Sequence, residues 1–274
     1  MENIRKTVLD DYNNTITIHS TNDFVSMRKA GELASKVLDF IEPHVKEGVT
    51  TEKLDSLCHD YILKNEAIPA PLNYKGFPKS ICTSINHVVC HGIPGPKVLK
   101  NNDIINIDIT VILDGWHGDT SRMFSIGKPN VKCKKLMDAT YEAMWKGIQK
   151  VKPGNSTGDI GAAIQKFTEN LGYSVVRDFC GHGIGQRFHT APNILHYGQE
   201  QQGTKLIEGM FFTIEPMINL GKKDILILDD GWTAVTRDKK LSSQYEHTIG
   251  VTNTGYEVFT ISEKEKKEGR IFSC

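Results

Sequence analysis

Apolar positions recur every three or four residues in two long stretches of the chain, and again in a shorter stretch after each. The first long stretch, roughly 23–42, places Met27, Ala30, Leu33, Ala34, Val37, Leu38 and Ile41 on one face and predicts an amphipathic helix. A second runs over roughly 132–150. The segment HVKEGVTT (44–51) then resembles KVKPGNST (150–157) at an offset of 106 residues. Immediately beyond, Leu54, Leu57, Cys58 and Tyr61 match Ile160, Ala163, Ile164 and Phe167 at that same offset, with the i, i+3, i+4, i+7 spacing of a helix face. Thr50 or Thr51 and Ser156 or Thr157 stand where N-caps belong, with Glu52 and Asp159 in the first turns.

Further along, LKNNDIINID (99–108) parallels LIEGMFFTIE (206–215) at an offset of 107, and each apolar β-rich run ends on a carboxylate. Any one short match could arise by chance; three at nearly constant offset argue for an internal repeat. Each half reads helix, helix, strand, then a strand bearing an acid. The prediction is an α/β (α+β) domain over 21–262, with two pseudo-symmetric halves of about 21–127 and 128–262. Residues 1–20 read as a mobile or strand-forming arm. The end, 263–274, reads as a charged tail whose SEKEKKEGR run is a solvated face without assigned function.

Composition narrows the classes. The 274 residues carry 33 Lys plus Arg against 33 Asp plus Glu, so no basic excess marks nucleic acid as the main partner. No apolar h-region opens the chain, and no run approaches the ~20 residues of a membrane span. Six cysteines form no C-x-x-C pair, and Cys274 is the last residue rather than fourth from the end, so neither a zinc finger nor a prenylation box is expected. Reduced thiols in a cytoplasmic protein are the expectation.

The chemistry concentrates in a few acids. In IINIDITVILDGWHGDTSRMF (104–124), Asp114-Gly115 between β-branched runs predicts a two-residue hairpin. Leu113 then faces Trp116 and Asp119 faces Thr110, which shares a strand face with Asp108. Asp108 and Asp119 become diagonal neighbours, ~7–8 Å apart at the backbone. Two such carboxylates repel unless a cation lies between them. Asp108 alone could instead be partnered by Arg122 or a backbone donor. The second half adds Glu215, ending GMFFTIEP, and Glu246, within SQYEHTIGV, both costly to bury unpaired. Between them DFCGHGIGQRFHTAP (178–192) places His182 in a tight glycine loop; His189 and His91 also sit beside glycine-rich or apolar segments. Four carboxylates and one imidazole form a hard, oxygen-rich set suited to manganese, iron(II), cobalt or magnesium-like ions, and they balance two divalent ions better than one.

NIDITV with DGWHGDTS, GHGIG with FH, FTIEP and QYEHT, in this order, closely resemble the type I methionine aminopeptidases of the pita-bread fold; the resemblance covers about Phe24 to Phe259. It implies two halves with antiparallel sheet flanked by helices. It also implies a dinuclear site in which Asp119 and Glu246 bridge the ions, Asp108 completes one, and His182 and Glu215 complete the other. Water activated there would attack the first peptide bond, releasing the initiator methionine from nascent chains whose second residue is small. Glu215 would also shuttle the proton, and His91 and His189 would stabilise the oxyanion and the substrate backbone. The methionine pocket would be Tyr74, Phe77, Cys82, Phe188 and Trp232, with a monovalent cation near Ser242 and the backbone at Asn86. FPKSICTSINHVVCHGIP (77–94) matches the family's substrate-side segment, although Pro71 stands where some bacterial members carry cysteine. The absence of a zinc-binding extension and of a helical insertion fits the minimal bacterial form or an organellar relative. A monomer is expected, working near the ribosome exit without an identifiable ribosome-binding segment.

Three rivals are weaker. A cysteine peptidase using Cys90 with His91, or Cys180 with His182, would need chain neighbours to act as a dyad, whereas such partners usually meet across a fold. A prolidase or aminopeptidase P relative would usually carry a large extra N-terminal domain. A metal-free binding protein on the same fold should lack ligands. GHGIG is no phosphate loop, because no Lys-Ser/Thr follows it.

Overall fold

The computed structural model describes residues 6–269. An N-terminal hairpin, β1 (Thr7–Leu9) and β2 (Thr15–Thr17), leads into helix α1 (Thr21–Ile41), whose Ser20–Asp23 capping box satisfies the first-turn amides. Helix α2 (Thr51–Lys64) starts at the Thr50 N-cap. The sheet of this half follows: β3 (Ile68–Pro69), β4 (Cys82–Ile85), β5 (Val88–Cys90), and the ten-residue strands β6 (Ile104–Leu113) and β7 (Trp116–Ser125). Strand β6 pairs β3 and β4 on one edge and β7 on the other.

The second half repeats the plan. Helix α3 spans Val131–Ile148, and α4 spans Thr157–Asn170 behind a Ser156–Asp159 capping box. Like α2, α4 has 14 residues, and it begins 106 residues later, the offset carried by the apolar pattern. After β8 (Ser174–Val175) come β9 (Gly181–Gly183), β10 (Thr190–Ile194) and β11 (Phe211–Ile214). Strands β12 (Met217–Asn219), β13 (Ile225–Ile227), β14 (Ala234–Thr236) and β15 (Ser242–Gln244) lead to β16 (His247–Val251) and β17 (Tyr256–Val258). The sheet β10-β9-β11-β16-β17 is antiparallel, so the β11–β16 pair echoes β6–β7.

One apolar core lies under α1 and α2, with Leu38, Leu54, Ile62 and Ile107 buried; another lies under α3 and α4, around Met144, Trp145, Ile160 and Phe212. Close approach of α1 to β7 requires a glycine, since a Cβ at Gly118 would lie 2.3 Å from the Ala30 carbonyl oxygen. The halves join where Ser121 of β7 and Glu246, just before β16, exchange backbone hydrogen bonds of 3.4 and 3.1 Å. Thr120 and Thr248 reinforce this seam, each donating its hydroxyl at 2.7 Å to the carbonyl oxygen of Glu246 or Asp119. The chain also crosses over where β14 pairs with β5 of the first half.

Strand β6 runs past Asp108 to Leu113, as the hairpin count requires, and its far end also pairs with β3. Two sequence expectations change. His182 lies on a strand rather than a loop. The charged tail is not wholly solvated: α5 (Glu263–Lys267) docks against the domain and leaves Glu265 only 7% exposed, because Arg122 and His247 wait beneath it. Residues 270–274 of that tail, Cys274 among them, lie outside the described residues. No described helix is long and apolar enough to cross a membrane.

Candidate metal centre and its cavity

The hairpin sets the first two acids. Asp114 and Gly115 take φ of 50° and 80°, the left-handed values that a two-residue turn needs, and the count then runs Leu113 opposite Trp116, Thr110 opposite Asp119 and Asp108 opposite Ser121. Asp108 and Asp119 thus share a face, and the Thr110 hydroxyl donates to Asp119 Oδ1 at 2.7 Å. Arg122, two residues after Thr120, turns to the other face and pairs with Asp39 rather than Asp108.

The second half brings its donors to the same place. Glycines on both sides of His182 let β9 press into the sheet; a Cβ at Gly181 would lie 2.3 Å from the Thr213 carbonyl oxygen. His182 Nδ1 lies 3.1 Å from the Gly183 carbonyl oxygen, an acceptor that fixes the proton on Nδ1. Its Nε2 lone pair then faces Asp119 Oδ2 and Glu215 Oε1, each 3.6 Å away. Donor atoms of Asp119, His182 and Glu246 all lie within 4.8 Å of one another. Glu215 accepts from the Thr213 hydroxyl at 2.8 Å and from Gln244 Nε2 at 3.2 Å, while its backbone N–H donates to His196 Nε2 at 3.1 Å. Asp108 lines the same cavity.

Electrostatics make this cluster unusual. Asp119 and Glu246 are 3% and 2% exposed, and among the described residues no lysine or arginine ion-pairs with any of the four carboxylates. Burial pushes Asp108 up to about 7. Burial, then the neighbouring carboxylates, pushes Asp119, Glu215 and Glu246 well above the usual carboxylate range. Burial holds His182 down at about 4, so its imidazole is neutral. A neutral imidazole with a free Nε2, ringed by carboxyls whose ionised forms repel one another, is a donor set fitted to divalent cations.

A cavity of about 360 Å³ opens onto these donors, with Tyr74, Phe77, Cys82, His91, Phe188, His189 and Trp232 in its wall. Phe77 meets Trp232 edge-on at 5.2 Å, His91 meets Phe179 edge-on at 5.3 Å, and His189 lies 4.1 Å from the His182 ring with its Nδ1 2.9 Å from the Tyr74 hydroxyl. Ser242 is placed elsewhere: its backbone N–H donates to the Asn86 carbonyl oxygen at 2.8 Å, and its buried hydroxyl has no hydrogen-bond partner among the described residues.

Sequence reading missed several neighbours. Thr213 and Gln244 each precede a glutamate by two residues, so strand alternation placed them on the acid face and could have found them. Phe179 and Met217 also line the cavity, and no sequence signal set them apart from core residues; Cys90 and Cys180, named in sequence only for a rival cysteine chemistry, line it too.

The family model for metallopeptidase family M24 matches residues 25–253. The methionine aminopeptidase of Rickettsia prowazekii is 62% identical over 252 residues, covering 92% of this chain and 97% of that protein. The methionine aminopeptidase of Escherichia coli K12 is 53% identical, covering 91% and 96%. The crystal structure of the Rickettsia prowazekii enzyme superposes with a TM-score of 0.89, covering 90% of this chain and 100% of that one. The prolidase of Pyrococcus horikoshii, 23% identical and with 64% of its length covered, reaches a TM-score of 0.72 and shares the fold alone.

Proposed function

The chain belongs to metallopeptidase family M24, with its pita-bread fold, and from that premise we propose that it removes the N-terminal methionine from peptides and nascent proteins. The observation that carries this reading is the convergence of Asp119, His182 and Glu246, with Asp108 and Glu215 beside them, at the floor of one aromatic cavity. These five side chains would hold two divalent ions of the manganese, iron(II) or cobalt class. When bound, such ions polarise a carbonyl and lower the pKa of water.

The chain's own groups do the rest. Phe77, Phe188 and Trp232, with the Cys82 thiol, offer the apolar, polarisable wall that suits a thioether. Glu215, its two oxygens oriented by Thr213 and Gln244, would carry a proton to the departing amine. His189, oriented by Tyr74, and His91, wedged between Phe179 and Trp232, would hydrogen-bond the scissile carbonyl oxygen and the next peptide unit.

The test is release of free methionine from Met-Ala-Ser with added manganese or cobalt, comparing the intact chain with Asp119→Ala, and with Gly-Pro as a second substrate. Rapid methionine release that Asp119→Ala abolishes is the expected result. Activity in Asp119→Ala near that of the intact chain would remove the metal-bridging role. Cleavage of Gly-Pro in place of Met-Ala-Ser would move the chain to the prolidase branch.

A further inference from the structure

The seam that carries the acids has a second, opposite face. Along β7, Asp119 faces the cavity while Arg122 projects to the other side; where Glu246 faces the cavity, its neighbour His247 projects away. Behind this seam lies α5. Its Glu265 accepts from the Ser262 backbone N–H at 3.0 Å, from the Tyr141 hydroxyl at 3.3 Å and from Arg122 Nη2 at 3.5 Å, and lies 3.5 Å from His247 Nε2. Arg122 in turn donates to Asp39 of α1 at 2.9 Å and to the Ser262 hydroxyl at 2.9 Å. One carboxylate therefore ties the residue after Ser121 to the residue after Glu246, and the backbones of Ser121 and Glu246 are themselves bonded.

We propose that Glu265 is a positioning residue for the metal centre, fixing the separation of Asp119 and Glu246 by clamping Arg122 and His247 from behind. This rests on the reading that Asp119 and Glu246 hold metal. Metal ligands must sit within tenths of an ångström of their places, and partners that orient ligands directly change affinity by ~10–100-fold. Glu265 acts through one peptide link to Glu246 and three to Asp119, so its effect should be smaller. The tail that looked like a solvated charge run thereby gains a role in setting the site.

The experiment titrates the chelator-stripped full chain with Mn(II) by calorimetry and measures kcat and KM on Met-Ala-Ser at saturating Mn(II). Glu265→Gln should raise the Mn(II) Kd by about fivefold and lower kcat with KM within about twofold. Glu263→Gln, on the exposed side of the same helix, should change neither. Unfolding in the presence of chelator reports the purely structural share. A Glu265→Gln chain that loses Tm but keeps Mn(II) Kd and kcat within about twofold overturns the proposal. Should Glu265→Gln fail to fold, Ser262→Ala, which removes one hydroxyl from the clamp, must show the same direction, and an unchanged Kd there overturns it too. Asp119→Asn serves as the parallel arm. Undiminished Mn(II) binding in Asp119→Asn would overturn the metal-centre reading itself, whereas weakened binding there with Glu265→Gln unaffected overturns only the clamp.

Discussion

Two charge clusters share the β7–β16 seam and resolve the cost of buried charge in opposite ways. On the cavity face, Asp108, Asp119, Glu215 and Glu246 stand together with one neutral imidazole and, among the described residues, no lysine or arginine ion pair, and burial drives their protons on. On the far face, Asp39, Glu42 and Glu265 meet Arg122, Lys264 and His247. There burial pushes the Glu265 carboxyl up, but His247 and then Arg122 outweigh it and hold it down at about 2. The far cluster carries its counter-charges within the chain and serves stability; the cavity cluster leaves its counter-charge to be supplied from outside. An uncompensated anionic cluster is tolerable beside a compensated one because the second anchors the strands on which the first depends.

The largest break in this contrast should come from Glu246→Gln. It removes a donor and also one member of a mutually repelling group. Methionine release should fall by at least about 100-fold, because even residues behind the ligands cost ~10–100-fold in metal sites. The metal-free protein should instead melt higher than the intact metal-free chain, as a carboxyl whose ionised form burial and then its acidic neighbours disfavour is gone. Calorimetric melting in chelator checks this, and a lower melting temperature would mean that the cavity acids are not strained against one another.

Arg122→Met tests the other face. It strands Asp39 and Glu265 beneath a half-closed surface, and breaking one side of a buried ion pair costs about 3–5 kcal/mol. Urea unfolding of the metal-free protein measures it, and adding Glu265→Gln should recover part of the loss because the abandoned charge is then gone.

Opposite pH slopes sharpen the contrast further. The cavity acids have raised folded pKa values, so the folded metal-free chain keeps protons that the unfolded chain releases. Their contribution to its stability is therefore greatest at low pH and declines as pH rises from near 3.8, the ordinary aspartate value, through about 7 for Asp108. Saturating manganese should flatten that decline. Glu265 is depressed, so its contribution is complete above its ordinary value of 4.5 and is lost as pH falls toward about 2. The stability difference between the intact chain and Glu265→Gln should shrink over that acid window.

The cavity face was far more legible in the sequence than the face behind it, for a physical reason. Asp114-Gly115 fixes the hairpin count locally, so the Thr110–Asp119 pairing followed from turn chemistry and strand alternation. The two helix pairs followed from apolar spacing, since Leu54 and Cys58, like Ile160 and Ile164, are buried at matching offsets. Glu265 followed from neither. Its partners Arg122 and Tyr141 lie 143 and 124 residues away in sequence, and nothing local separates it from the exposed Glu263 beside it. A charge becomes buried only when tertiary structure brings its counter-charge, and that pairing leaves no periodic trace. Phe179 and Met217 escaped similarly, since an apolar residue facing a cavity and one facing the core have the same local pattern.

The smallest effect locates the edge of the far cluster. Lys264 contacts Glu42 and approaches Glu268 at 3.7 Å, but its side chain is 42% exposed and that of Glu42 33% exposed. Water already solvates both ends of such a pair, so Lys264→Met should cost no more than about 1 kcal/mol, less still in high salt. Arg122, whose side chain is 10% exposed, reaches the same Glu42 at 3.7 Å and would keep that carboxylate paired after the substitution. Urea unfolding at low and high ionic strength measures the difference. A loss above about 2 kcal/mol would mean that Lys264 belongs with Arg122 in the dry part of the clamp. The neutralising centre of the far face would then extend across α5 instead of resting on a single guanidinium.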